Sequence, residues 1–204
     1  MRDLLLATTN RHKLEEYRAI LSDLPFTLLS PTDIDLDLDV EETGTTFAEN
    51  AELKALAYAK ASGLLSLADD SGLEIDALDG APGVYSARFA GRDASYEERF
   101  RLILEQLKGL PEAQRTARFC CSIVLAEPSG YHQMAEGVIE GVIADAPRGE
   151  HGFGYDPIFL VPALGKTTAE ITSEQKHRIS HRGRAAEQAR ALLQNWRPPA
   201  TTSE

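Results

Sequence analysis

Leu64-Leu65-Ser66-Leu67-Ala68-Asp69-Asp70-Ser71-Gly72, residues 64–72, is a short apolar run that halts at two acids, a serine and a glycine. A run of this length, bounded by turn formers, reads as a buried strand over Leu64 to Ala68. Polar residues at the C-terminal end of such a strand face the binding crevice of an open α/β sheet. Neighbouring strand residues point to opposite sides, so Asp69 and Asp70 have different tasks. One can hold a divalent metal while the other braces the loop. Asp-Asp-Ser-Gly is also ordinary turn chemistry, and that reading stands beside the first.

Outward from this stretch, strands and helices alternate. Leu4 to Thr8 reads as a buried strand, and Asn10 can cap a helix carrying Leu14, Tyr17 and Leu21 at helical spacing. Phe26 to Leu29 is a second strand. Asp33 to Val40 alternates acidic and apolar residues, which predicts a half-exposed strand or an extended loop. Thr46 with Glu49 and Ser95 with Glu98 have capping-box spacing before two helices. Leu73 to Leu78 reads as a strand followed by a turn at Asp79-Gly80-Ala81-Pro82-Gly83. Thr116 to Ala126 and Tyr131 to Ala144 predict a long hairpin across Pro128-Ser129-Gly130. Ala185, Ala189, Leu192, Leu193 and Trp196 give a last helix its buried face. The expected fold class is α/β with a mixed sheet.

The chain has 204 residues, 43% hydrophobic and 26% charged, which fits one domain with a sizeable core and excludes wholesale disorder. Lys and Arg number 21 against 32 acids, a formal net charge of −11. Such a surface repels nucleic acid and anionic lipid, so a phosphate ligand needs a local cationic cluster or a metal ion. Cys120 and Cys121 are neighbours, cannot form an ordinary disulfide within one strand, and read as two buried core thiols in a reducing compartment. The apolar run after Met1 is too short for a signal-peptide core, and no segment reaches membrane-span length. A soluble cytoplasmic protein is expected.

Four segments can carry chemistry. Thr8-Thr9-Asn10-Arg11-His12-Lys13 places hydroxyls, an amide and a cation at a helix N-terminus, which suits a polyphosphate or serves as a plain cap. The glycines of a P-loop are absent. Glu41-Glu42 and Asp69-Asp70 supply hard oxygen ligands that favour Mg²⁺ or Mn²⁺ over zinc. The acids at 33, 35, 37 and 39 read as a solvated face. Gly149-Glu150-His151-Gly152-Phe153-Gly154-Tyr155-Asp156-Pro157 sets two aromatics among glycines. A ring there can stack on a purine, and Asp156 can accept from ring N–H groups; a purely structural loop with both rings in the core is the other reading. Lys176-His177-Arg178-Ile179-Ser180-His181-Arg182-Gly183-Arg184 holds four permanent cations and no acid, and reads as a phosphate-binding island or as an exposed helix start.

Together these motifs resemble the inosine triphosphate pyrophosphatase (Ham1/RdgB-like) family. The resemblance runs from Leu4 to about Leu193. It rests on Ala7-Thr8-Thr9-Asn10 with Lys13; Glu41-Glu42-Thr43-Gly44 followed by Phe47, Glu49-Asn50-Ala51 and Lys54-Ala55; Ala68 to Leu73; Gly80 to Arg88; Gly152 to Pro157; and Ser180-His181-Arg182-Gly183. It implies an elongated mixed β-sheet flanked by helices, in two lobes with a central cleft. Residues 1–197 would form this one domain and residues 198–204 a flexible tail. It also implies a homodimer. Residue by residue, it implies that Thr8, Thr9, Asn10 and Lys13 meet the phosphates. Glu42 and Asp70 would hold Mg²⁺, with Mn²⁺ able to substitute, and Asp70 would be the catalytic base, supported by Asp69. Ser71 would lie beside the substrate. Phe153, Gly154, Tyr155 and Asp156 would form the base pocket, with Phe153 stacking, while Lys176, His181 and Arg182 would read base and phosphate. Thr9 and His151 stand where some members have glycine.

The implied function is Mg²⁺-dependent hydrolysis of ITP, dITP and XTP to the monophosphate and pyrophosphate, which cleanses the nucleotide pool. Two alternatives belong to other classes. One is a Maf-like pyrophosphatase acting on other modified or pyrimidine nucleotides, which a substrate panel separates. The other is a non-catalytic nucleotide sensor, against which the intact Glu42, Asp69 and Asp70 count.

Overall fold

In the computed structural model, residues 2–197 are described. Arg2–Leu6 (β1) leads through Asn10 into Arg11–Ile20 (α1), and Phe26–Leu29 (β2) follows. The Asn10 side chain accepts from the N–H groups of His12 and Lys13, as its residue type requires at a helix start. Phe47–Ser62 (α2) begins at a Thr46/Glu49 capping box and stops where Gly63 turns left-handed at φ 73°. Leu65–Ile75 (β3), Tyr96–Gln106 (α3), Thr116–Ala126 (β4) and His132–Ile143 (β5) come next. Phe159–Val161 (β6), Lys166–Thr167 (β7), Ser173–Ile179 (α4) and His181–Gln194 (α5) complete the chain.

The seven strands form a mixed sheet in the order β2-β1-β3-β4-β5-β6-β7. β1 pairs in parallel with β2 and β3, with Leu5 opposite Ser66, whereas β6 pairs antiparallel with β5 and β7. Among the described residues no helix is long and apolar enough to cross a membrane.

The chain divides into two compact units. One runs to Asp70 and takes in Ser122–Glu136 and the described residues from Ala185 on. Its core joins Leu5 and Ala7 to Ala51, Ala55 and Ala59 of α2. The alanine face brings the helix backbone close to the strands. The other unit holds Ser71–Cys121 and Gly137–Arg184. Here Phe100 and Ile103 of α3, with Leu107 just after it, pack with Leu73, Ile75, Phe119 and Phe159.

Two expectations are corrected, and one open alternative is decided. The apolar runs on either side of Asp69-Asp70-Ser71-Gly72 belong to one strand, β3, and the acids lie inside it rather than at a turn. Turn propensity loses here because both carboxylates have cationic partners, so the extended backbone carries them without a desolvated orphan charge. Of the two readings of Asp33–Val40, the strand is not formed and the loop is: Pro31–Ile34 forms a 3₁₀ turn, and Leu36, Leu38 and Val40 then pack on the first core in irregular chain. Cys121 is a core thiol, but Cys120 is half-buried. The tail expected over residues 198–204 lies outside the described residues.

Candidate active site

The first cluster lies in the unit that holds the chain up to Asp70. Successive residues of β3 point to opposite sides, so Asp69 and Asp70 meet different partners. Asp69 Oδ2 lies 3.0 Å from Lys13 Nζ, which the first turn of α1 delivers. Asp70 Oδ1 lies 3.4 Å from Lys54 Nζ, and the same ammonium is 2.6 Å from Glu42 Oε1. Glu42 and Asp70, some thirty residues apart in the chain, therefore converge on one cation. Asn50 is fully buried on α2, one turn before Lys54. It donates to Asp70 Oδ2 at 3.3 Å and accepts the Gly44 N–H at 2.8 Å, tying the segment after Glu42 to the β3 acid. A Cβ on Gly44 would lie 2.7 Å from Asn50 Oδ1, so only glycine permits this approach.

Burial pushes the Asp70 carboxyl above the ordinary carboxylate value, against the pull of Lys54 and Lys13. Burial alone would lower the Lys54 ammonium, but the charges of Asp70, Asp69 and Glu42 outweigh it and raise the value. The arrangement is an acid that keeps its proton longer than usual beside an ammonium that keeps its own. Among the described residues no group of three or more acidic, histidine or cysteine side chains gathers as a metal cage. Two hard carboxylates aimed at one cation fit Mg²⁺, which is commonly held by one or two protein carboxylates together with substrate phosphates.

Thr8, Thr9 and Asn10 precede α1, where Thr8 Oγ1 accepts the Asn10 N–H at 3.2 Å. The capping reading of this segment is thus realised: the Asn10 side chain takes up the first-turn N–H groups of His12 and Lys13.

The second cluster lies in the other unit. Arg182, at the start of α5, is 2% exposed and donates to Ser71 Oγ at 2.8 Å. Lys176 Nζ, from α4, lies 2.6 Å from Asp156 Oδ2, and the Phe153 N–H donates to that oxygen at 2.8 Å. The Phe153 ring is half-buried, with its centroid 4.7 Å from Lys176 Nζ and 5.5 Å from Arg182 Cζ, so two cations lie over its π system. The His181 ring stacks on Phe119 at 4.7 Å. Lys176, His181 and Arg182 are buried, whereas Arg178 and Arg184 are exposed and Arg178 pairs with Glu174, so the cationic segment divides between the interior and a solvated helix surface.

The glycine-rich loop divides its expected residues. Gly152 and Gly154 adopt positive φ, and a Cβ on Gly152 would lie 2.0 Å from Asp156 Oδ2. Phe153 stays half-buried. Tyr155 instead turns into the core, edge-on to Tyr96, and donates its hydroxyl to the Ser86 carbonyl at 2.8 Å. Ser86 Oγ in turn accepts the Leu73 N–H at 2.9 Å. The Asp156 carboxylate is spent on Lys176, Phe153 and Thr168 inside the protein. Both residues therefore shape the loop instead of facing outward from it.

Sequence reasoning gave no role to Asn50, Lys54, Ser86 or Thr168. The first two carried a usable signal: spacing of four on a capped helix puts them on one face.

The Ham1 family model matches residues 4–192. A dITP/XTP pyrophosphatase of Exiguobacterium sibiricum is 50% identical over 190 residues, covering 93% of this chain and 96% of that protein. One from Thermus thermophilus is 51% identical over 98% of this chain and 96% of its own length. Among solved structures, a HAM1 protein from Coxiella burnetii superimposes with a TM-score of 0.88 at 46% identity, covering 96% of this chain and all of that one.

Proposed function

The chain belongs to the Ham1 family, and from that premise we propose that it is a nucleoside-triphosphate pyrophosphatase acting on dITP, ITP and XTP. It splits the bond between the α- and β-phosphates to release a monophosphate and pyrophosphate. The observation that carries this reading is the convergence of Glu42 and Asp70 on one ammonium beside the capped start of α1.

Lys13, Lys54 and the α1 N-terminus attract phosphate oxygens, with Thr8, Thr9 and Asn10 framing the helix start. A divalent cation held by Glu42 and Asp70, Mg²⁺ or Mn²⁺, supplies charge neutralisation at those oxygens when bound. Asp70 takes the proton of the attacking water; its raised pKa brings its basicity nearer to the operating pH. Asp69 holds Lys13 and so braces the same strand. Lys176, His181 and Arg182 offer donors to a 6-oxo purine, and Phe153 offers a ring to stack on, with Gly154 and Ser71 alongside. The 6-amino group of adenine would face these donors as another donor, and an unpaired polar group of that kind is a strong basis for rejection.

Residues 1–197 are read as one folding domain in two lobes, located in the cytoplasm and paired as a homodimer; a single cooperative melting transition and light scattering test the first and last points. The function is tested by incubating the protein and Mg²⁺ with dITP, ITP, XTP, GTP and ATP. Pyrophosphate and monophosphate from the first three, with little from ATP, is the expected result. Orthophosphate as the first product, or no product at all, refutes it.

A further inference from the structure

The buried Asp156–Lys176 pair has a third member that the reading above leaves without a task. Thr168 begins the 3₁₀ turn Thr168–Glu170 after β7, and it is 1% exposed. A Thr167/Glu170 capping box fixes this turn, and Thr167 Oγ1 donates to the Arg148 carbonyl at 2.7 Å. Thr168 is thereby held in one place, and its Oγ1 donates to Asp156 Oδ1 at 2.7 Å.

The two oxygens of Asp156 are thus divided. Oδ2 receives the Lys176 ammonium and the Phe153 N–H; Oδ1 receives Thr168. Rotation about the last torsion of an aspartate is soft, so the first two contacts alone do not set the carboxylate plane. A donor on the opposite oxygen does. Lysine has a long flexible stem and orients poorly unless its head is anchored. Asp156 and Lys176 are 2% and 4% exposed, so this anchoring takes place away from water, where a charge-assisted hydrogen bond is strong.

We propose that Thr168 is a positioning residue for base recognition: its hydroxyl sets the Asp156 carboxylate, which holds both the Lys176 ammonium and the Phe153 backbone where the purine is met. This rests on the reading that Lys176 and Phe153 face the base. Pre-ordering these groups lowers the cost of binding and leaves the hydrolytic step to the other cluster, so the effect falls on KM.

The test uses the full-length protein with Mg²⁺ and dITP or dATP, comparing Thr168→Val, Thr168→Ala, Thr168→Ser and Lys176→Ala. Thr168→Val keeps the shape and loses the donor. It should raise KM for dITP about tenfold, the scale of one lost charge-assisted hydrogen bond, with kcat changed less than about twofold. Thr168→Ala should do the same, which covers a failure of the valine variant to fold. Preference for dITP over dATP should narrow in both. Thr168→Ser should restore the wild-type KM. Wild-type KM in Thr168→Val and Thr168→Ala, while Lys176→Ala raises it, overturns the role of Thr168 and leaves the base-reading role of Lys176 intact. A wild-type KM in Lys176→Ala removes that role and this inference with it. A fall in melting temperature and kcat without a change in KM reduces Thr168 to a packing residue and also overturns the proposal.

Discussion

The Asp69 carboxylate lies 3.0 Å from the Lys13 ammonium, with the acid's side chain wholly buried and the lysine's 15% exposed. The pair ties β3 to the first turn of α1, which makes Asp69 the brace of a cation proposed to meet phosphate. Asp69→Asn keeps the volume and removes the charge. Lys13 can then turn toward solvent, so the stability cost should be about 1–3 kcal/mol, less than for a fully enclosed ion pair. KM should rise more than kcat falls, because the lost feature is the placement of a binding group. Denaturant unfolding and steady-state kinetics check the two halves separately.

Asp70→Asn should lower kcat by about 10²–10⁴-fold, the usual contribution of a general base. The fold should survive and even gain. The native pKa of Asp70 lies above its unfolded value, so the folded chain holds this proton more tightly than the unfolded chain. Stability therefore falls as pH rises between the two values, and the ionised acid is a native-state cost at neutral pH. The asparagine variant should melt at or above the wild-type temperature at pH 7.5. That advantage should vanish at low pH, where the carboxyl is protonated in both states. Thermal melts across pH decide this.

Lys54→Met removes the cation shared by Glu42 and Asp70. Loss of a neighbouring positive charge disfavours the ionised carboxylate, so the Asp70 pKa should climb further. The acidic limb of the pH–rate profile should move to higher pH, and activity at neutral pH should fall by about 10²-fold, as for other lost charge stabilisers. An unmoved acidic limb would separate Lys54 from the titration of Asp70.

Tyr155→Phe deletes the hydroxyl that meets the Ser86 carbonyl and leaves a buried acceptor unpaired. The expected cost is about 1–2 kcal/mol, with a drop in melting temperature of about 2–8 °C. KM for dITP should change only a few-fold, because the ring itself still packs against Tyr96 and Phe100. A large loss of kcat would instead give the hydroxyl a chemical role.

Burial, reinforced by Glu74, pushes the Cys120 thiol up to about 12. At pH 8 its thiolate fraction is then about 10⁻⁴, since each unit of pKa above pH is a tenfold loss. Cys120 should resist iodoacetamide in the native protein although it is only half-buried, and both cysteines should react in urea. Mass spectrometry reads the difference.

Local chemistry was legible wherever a few consecutive residues decide the outcome. Asn10, Thr46 and Ser95 cap their helices because a short polar side chain at that position reaches the next N–H groups. The buried run of β1, the hairpin strands and the candidate carboxylates could likewise be read from residue type and period. The course of β3 could not. Asp-Asp-Ser-Gly has the composition of a turn, and it stays extended because Lys13 and Lys54, from two different helices, neutralise its acids. The inward turn of Tyr155, the enclosure of Asp156 and the positioning contact of Thr168 were hidden for the same reason. Pattern and propensity act over a few residues, whereas a buried charge or hydroxyl takes its role from partners that only the folded chain brings within hydrogen-bond reach.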